Sequence, residues 1–264
     1  MRIIRTTQAL LVGAALLIPS LASADWFGRD RHEKGSGNIV SELRELPSFT
    51  EIDLSGSCDL RIQIGPEQKV EVWGDDNLID RIRTEVTGGD LLRIDTRGSY
   101  STRRGLRVDI TVPHLVRLDI TGSGDADISG LDGDDLELNI DGSGDVQLVG
   151  TVGYLDIDVQ GSGDVRAVDL SAGEIRTKTK GSGDIELEGT AATLEIELRG
   201  SGSIDARRLV AREASAEIYG SGDISVRAED RFDGAVFGSG DIDVYGDPPR
   251  INRRVSGSGD ITRH

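Results

Sequence analysis

The chain of 264 residues carries a formal net charge of −17 and is 36% hydrophobic but only 4% aromatic, with 35 glycines. Such a balance excludes one thick globular core and suits many small, thinly layered turns. The acidity excludes nucleic acid, whose binding depends on cationic neutralisation of phosphates. It also disfavours anionic membrane surfaces and leaves cations or basic partners as the electrostatically allowed ligands.

Residues 1–24 read as a signal peptide: Arg2 and Arg5 form the positive start, Ala9 to Ile18 the apolar run, and Ala22-Ser23-Ala24 the cleavage site. The run is far short of the ~20 apolar residues a bilayer span needs, and Pro19 closes it. Cleavage would leave 28 basic and 47 acidic residues and no transmembrane anchor, which implies export to a periplasm or an extracellular envelope. Residues 25–37, mixed in charge, are expected to form a flexible arm. The single cysteine, Cys58, has no internal partner and reads as a buried or turn thiol.

The remainder, 38–264, reads as one domain. Its first part, 38–120, is irregular but β-like: Leu60, Ile62 and Ile64 alternate with polar residues, as do Val70 and Val72, and Leu92 and Ile94. Val86 to Leu91, with Gly88-Gly89 at its centre, predicts a hairpin turn. These are expected to be the first, imperfect coils, with an antiparallel excursion, of the array that follows.

From 121 to 264 a Gly-Ser-Gly corner recurs, beginning at Gly122, Gly142, Gly161, Gly181, Gly200, Gly220, Gly238 and Gly257, at steps of 20, 19, 20, 19, 20, 18 and 19 residues. A further triplet begins at Gly35, and Gly56-Ser57-Cys58-Asp59 is a degraded copy. The second glycines are Gly124, Gly144, Gly163, Gly183, Gly202, Gly222, Gly240 and Gly259. Two glycines around one small residue predict backbone at positive φ or crowded against a neighbouring coil, where a Cβ would clash.

An aspartate closes seven of the corners (Asp125, Asp145, Asp164, Asp184, Asp223, Asp241 and Asp260), with Ser203 and Asn38 in others, and all of these can bond nearby backbone amides. On either side the period is two. Leu136, Leu138 and Ile140 precede one corner and Val146 and Leu148 follow it, which marks strands with one buried face. Each repeat is therefore two short strands about a glycine corner plus a looser return, such as Leu131 to Asp134 or Ser171 to Gly173.

A near-constant interval between like corners predicts a parallel β-helix, a solenoid of about 19–20 residues per coil, rather than a closed meander. One coil buries about four or five aliphatic side chains at ~1.5–3 kcal/mol each, while ordering its backbone costs ~1–2 kcal/mol per residue. A coil cannot fold alone, so its neighbours must supply ladder hydrogen bonds and a continuous core.

The order of segments resembles the head GIN domain of the autotransporter adhesin type found in bacterial envelope proteins. The likeness is carried by Gly35 to Val40, Phe49-Thr50-Glu51-Ile52, Asn77 to Leu92, Val108 to Pro113, the succession of corners, and Gly246-Asp247-Pro248-Pro249 before the last corner, and it spans residues 35–264. It implies an all-β, right-handed parallel β-helix in exported proteins of largely unassigned activity, with an adhesin-like role. An autotransporter also carries a C-terminal membrane barrel, and the residues after the last corner do not supply one, so self-translocation and outer-membrane anchoring are not expected.

In-register stacking would place the seven aspartates in a column at ~4.8 Å spacing, where adjacent charges repel by ~1 kcal/mol in water. Calcium is the cation such carboxylates would take. The calcium-binding nonapeptide motif, however, is Gly-Gly-x-Gly-x-Asp at half this period, so turn capping is the reading preferred and no cofactor is expected. Asp125 to Gly130 imitates the start of an EF-hand loop, but Leu136 stands where the bidentate Glu belongs.

Catalytic residues are not expected. The regular spacing leaves no room for long loops, His32, His114 and His264 are scattered, and Tyr154, Tyr219, Phe232, Phe237 and Tyr245 are the few aromatic candidates for a sugar platform. The reading is a non-catalytic envelope scaffold or adhesin-like protein with an unidentified envelope or surface partner, protein or polysaccharide, and with self-association through its open edge allowed. The alternative is a polysaccharide-acting enzyme on the same scaffold.

Overall fold

The computed structural model describes residues 32–264, so the signal peptide expected over 1–24 and the start of the arm, 25–31, lie outside the described residues. In chain order the first strands are β1 (Glu33–Lys34), β2 (Ile39–Arg44), β3 (Glu51–Gly56), β4 (Asp59–Ile64) and β5 (Lys69–Asp75). After a single 3-10 turn at Ile79–Arg81 come β6 (Ile82–Thr87), β7 (Leu91–Thr96), β8 (Tyr100–Ser101) and β9 (Arg107–Val112). The regular coils begin with β10 (Arg117–Gly122), β11 (Ala126–Asp132) and β12 (Leu136–Gly142), and continue through β13 (Val146–Gly161), β14 (Val165–Gly181) and β15 (Ile185–Gly200). They close with β16 (Ser203–Gly220), β17 (Asp223–Gly238), β18 (Ile242–Tyr245), β19 (Arg250–Gly257) and β20 (Ile261–Arg263), and no α-helix occurs among the described residues.

The strands stack as two long parallel ladders joined at the glycine corner. The first runs β7-β3-β10-β12 and on through the C-terminal halves of β13 to β17 to β19. The second runs β9-β4-β11 and on through the N-terminal halves of β13 to β17 to β18 and β20. Gly56, Gly122, Gly142 and Gly161 pair in register, so like corners lie on like corners. The fold is the stacked parallel β-solenoid that the repeat demands.

The return segments are more regular than their composition suggests. Thr151 pairs with Ser171 and Val152 with Ala172, and Ser171 and Ala172 in turn pair with Thr190 and Ala191. Those coils are therefore continuous strands broken only at the Gly-Ser-Gly corner. The extra residue of a 20-residue coil is absorbed at a bulge beside Gly150, where Asp169 is the only non-glycine residue at positive φ (51°) among those described.

The N-terminal region departs from the stack in order. The coil formed by β7 and β9 lies on the outer side of the coil formed by β3 and β4, although it comes later in the chain. β6 then pairs antiparallel with β7, β5 adds antiparallel to β9, and β2 adds antiparallel to β5. The antiparallel excursion and the hairpin at Val86 to Leu91 thus form a cap on that end of the two ladders.

The arm expected through residue 37 is anchored from its described start. β1 pairs with β8, and His32 Nδ1 meets the Ser99 hydroxyl at 2.9 Å. The triplet at Gly35 is not a coil corner. Gly37 N donates to Asp75 (2.5 Å), Ser36 N to Asn77 (2.9 Å), and the Ser36 hydroxyl to Asp76 (2.6 Å). Gly35 is required because a Cβ there would overlap the Asp75 carboxylate.

The core is the file of inward residues along the axis. Leu136, Leu138, Ile140, Leu155, Ile157, Val159, Leu194, Ile196 and Leu198 are all buried, as are the exit residues Val146, Val165, Ile185, Ile204, Ile224, Ile242 and Ile261. In one coil two polar residues take that file: Thr177 and Thr179 are buried and their hydroxyls have no partner. In the last coil Arg253 takes the place held by Gly234 below it and donates to the Ile261 carbonyl (3.1 Å). An inward-pointing charge of this kind blunts a sheet edge against further pairing.

Candidate functional site

The two glycines of a corner are needed for different reasons. Gly142 stands at φ 147°, where an L side chain is strained, and a Cβ on it would run into the Gly122 carbonyl. Gly144 has no such φ, but its Cβ would strike the Gly124 carbonyl. At Cys58 the second position carries a side chain because the connection beneath it, residues 97–106, is a longer loop containing β8 and not a corner. The thiol is buried and free, and burial pushes it up to about 12, which leaves no thiolate at neutral pH.

The aspartates of the column cap the next coil. The amide of Asp145 donates to Asp125 Oδ1 (2.9 Å), that of Asp164 to Asp145 (3.0 Å), and that of Asp184 to Asp164 (2.8 Å). Ser203 donates to Asp184 through both its amide (2.7 Å) and its hydroxyl (2.9 Å). The amides of Asp241 and Asp260 repeat the pattern onto Asp223 (2.9 Å) and Asp241 (2.8 Å). The aspartate's own carbonyl is already used, as in Val146 N to Asp164 O (2.9 Å), so the carboxylate supplies the acceptor that the ladder lacks at the corner.

This donor set does not fit calcium, which takes six to eight oxygens. One oxygen of each stacked carboxylate is held by an amide, and no group of three or more His, Cys, Asp or Glu converges as a metal cage among the described residues. The groove beside Asp145, Asp164 and Asp184, about 480 Å³, is crossed by Arg166, which pairs with Glu186 (2.8 Å).

A second concavity, of about 570 Å³, lies where the return segments meet the first ladder, around His114, Val116, Asp134, Glu137, Tyr154 and Asp156. His114 Nδ1 meets Asp134 Oδ2 at 2.6 Å, and this hydrogen bond, with the Asp134 charge, raises the imidazole above its ordinary value. The Tyr154 hydroxyl donates to Asp156 Oδ2 (3.4 Å), with Arg176 beside both. Burial lifts the Asp156 carboxyl above the usual carboxylate range, partly offset by Arg176 and Tyr154. Glu137 is held by Arg117 (2.7 Å).

The corner motif gives no sign of the residues in this concavity. His114, Asp134 and Tyr154 stand 20 residues apart, so the same period applied away from the glycines brings them together. The other aromatic candidates take structural places. Phe232 is fully buried, Tyr219 stacks on Phe237 (4.9 Å between ring centroids), and Tyr245 stacks on His264 (5.1 Å). Arg199 lies over the Tyr219 ring and Arg254 over the Phe237 ring, so both outer faces of that pair are covered.

Residues 48–248 match the family described as "Putative auto-transporter adhesin, head GIN domain". The chain belongs to this family. No curated protein matches it. Among solved structures it is similar to a putative lipid binding protein from Parabacteroides distasonis, at 30% identity and TM-score 0.82, covering 89% of this chain and all of the other. A putative adhesin from the same species shares 27% identity at TM-score 0.82, over 88% of this chain and 100% of the other. Another putative adhesin, from Bacteroides fragilis, shares 25% at TM-score 0.67, over 88% and 99%. Family and neighbours thus point to a bacterial, adhesin-like protein of the surface or envelope rather than an enzyme.

Proposed function

We propose that the chain is exported and acts without catalysis, as an adhesin-like or scaffolding solenoid of the bacterial envelope that offers its outer faces to a surface partner, protein or polysaccharide. The observation that carries this reading is the unbroken corner column. Every regular coil is closed by the same short turn, so no long loops rise from the stack to wall a catalytic cleft, and the titratable groups of both concavities stand on the strands and short connections of the stack itself. The leader-like residues 1–24 support export, and Arg253 over the core's end argues against stacking of copies end to end.

The test pairs two measurements. Proximity labelling in the native envelope should recover a reproducible surface partner, and incubation with acidic polysaccharides should release no reducing ends or unsaturated products. Clear turnover of any of them would replace this reading with the enzymatic one. Lipid, the ligand class for which one Parabacteroides distasonis neighbour is named, is less well supported by the surface. The large apolar side chains exposed here, such as Leu43, Val149, Val210 and Val255, are spread along the molecule.

A further inference from the structure

Resting on the non-catalytic binding role proposed above, we infer that the concavity around Tyr154 is a saccharide site that takes a pyranose ring bearing no acidic group. Its volume, about 570 Å³, lies within the ~300–1,000 Å³ typical of small-ligand sites. Apolar surface is exposed there at Val116, 41% accessible, next to the partly exposed Tyr154 ring. Among the described residues no aromatic ring or guanidinium stacks on Tyr154, whereas the Tyr219 and Phe237 rings are covered on both sides. Tyr154 can therefore present a face to the C–H side of a sugar, which the Tyr219–Phe237 pair cannot do.

The polar groups suit the rest of such a ring. Asp134, Asp156 and Glu137 offer carboxylate oxygens to sugar hydroxyls, while His114 and Thr50 can donate to ring and hydroxyl oxygens. Each carboxylate is already oriented by a neighbour: His114 for Asp134, Tyr154 for Asp156, and Arg117 for Glu137. With Asp135, four carboxylates line this one small concavity, which would repel a uronate or a phosphate and accept a neutral or amino-substituted ring. Several groups here are displaced from their ordinary ionisation in one cleft, Asp156 by burial and His114 by Asp134, a pattern that accompanies functional sites.

Calorimetric and NMR titration of the full chain with cellobiose, the disaccharide of chitosan and digalacturonate tests the assignment. Cellobiose or the amino disaccharide should bind, with resonance shifts confined to the coils that carry His114, Asp134 and Tyr154, and digalacturonate should not. Y154A should weaken binding about tenfold or more. D134N, at the rim, should weaken it too, and Y219A should leave it unchanged. The inference is overturned if neither uncharged nor amino sugar binds, if digalacturonate binds best, or if folded Y154A and D134N both bind like the parent. If no sugar binds but a surface partner is still recovered by proximity labelling, the adhesin-like reading stands without this site. If digalacturonate is cleaved, the reading beneath it fails.

Discussion

In the cap, residues 33–112, polar contacts are made once each between particular side chains, whereas in the stack, residues 117–264, one set of contacts is made again at successive coils. Asp75 holds the Gly37 amide and the Thr102 hydroxyl, both at 2.5 Å, and has no counterpart elsewhere among the described residues. Asp145 and Asp164 do the same work one coil apart. The cap can thus tolerate Cys58 at a corner, while the stack tolerates no side chain there. Register, and not residue type alone, decides what a corner needs.

The sharpest way to break this contrast is a methyl group at a corner. G181A places a side chain at φ 144° and its Cβ into the Gly161 carbonyl, and should lower stability by about 3 kcal/mol through strain and overpacking. C58A, at the second position of the cap corner, should cost about 1 kcal/mol for the buried sulfur it removes. Equal urea midpoints for the two variants would show that the glycine column is not obligatory.

Next in size, D75A should cost about 2–3 kcal/mol by emptying the buried Asp75 site and leaving the Gly37 amide and the Thr102 hydroxyl without their charged acceptor. Its signature is local: amide exchange should quicken in residues 33–38 and 97–106 while the stack stays protected. D184A should cost about 1–2 kcal/mol, since it strips the acceptor from the Ser203 amide and hydroxyl. D184N keeps an acceptor oxygen and should be near neutral, and calcium should give no heat and no shift in melting. A costly Asn together with a calcium response would return the column to a metal role.

Smaller still and of opposite sign, T177V and T179V should each raise stability by about 1 kcal/mol, because each removes a buried hydroxyl without a partner. The least effect concerns His114. NMR should find its imidazole titrating above the ordinary value, and D134N should bring it back. Because the folded value is raised, the pair's contribution is full below the unfolded imidazole value and fades as pH rises through the folded one.

The alternation of Leu136, Leu138 and Ile140, and of their equivalents in later coils, was enough to read the stack's core, because one buried face and a period of two leave one way to pack. The capping role of the aspartates was legible as turn chemistry, though not that each carboxylate reaches the following coil. The return segments misled because Gly133 and Gly173 look like loop residues, while in the coils from β13 to β16 neighbouring strands recruit their equivalents into the ladder. The cap resisted reading for another reason: spatial order reverses chain order, and no local pattern encodes that β7 lies outside β3. The Gly35 triplet copies the corner motif but answers to Asp75, a partner 40 residues away.

The carboxylate-to-amide link between coils also bears on how such a molecule can change length. A coil closed by aspartate receives a bond from one side and makes the same bond on the other, as Asp164 does between Asp145 and Asp184. A duplicated 19- or 20-residue unit spliced in at a corner therefore leaves no orphaned group at either junction. The cap stays fixed while the rod beyond it can be extended or shortened a coil at a time, which makes reach a heritable variable that whole-unit duplication can adjust without redesigning the fold.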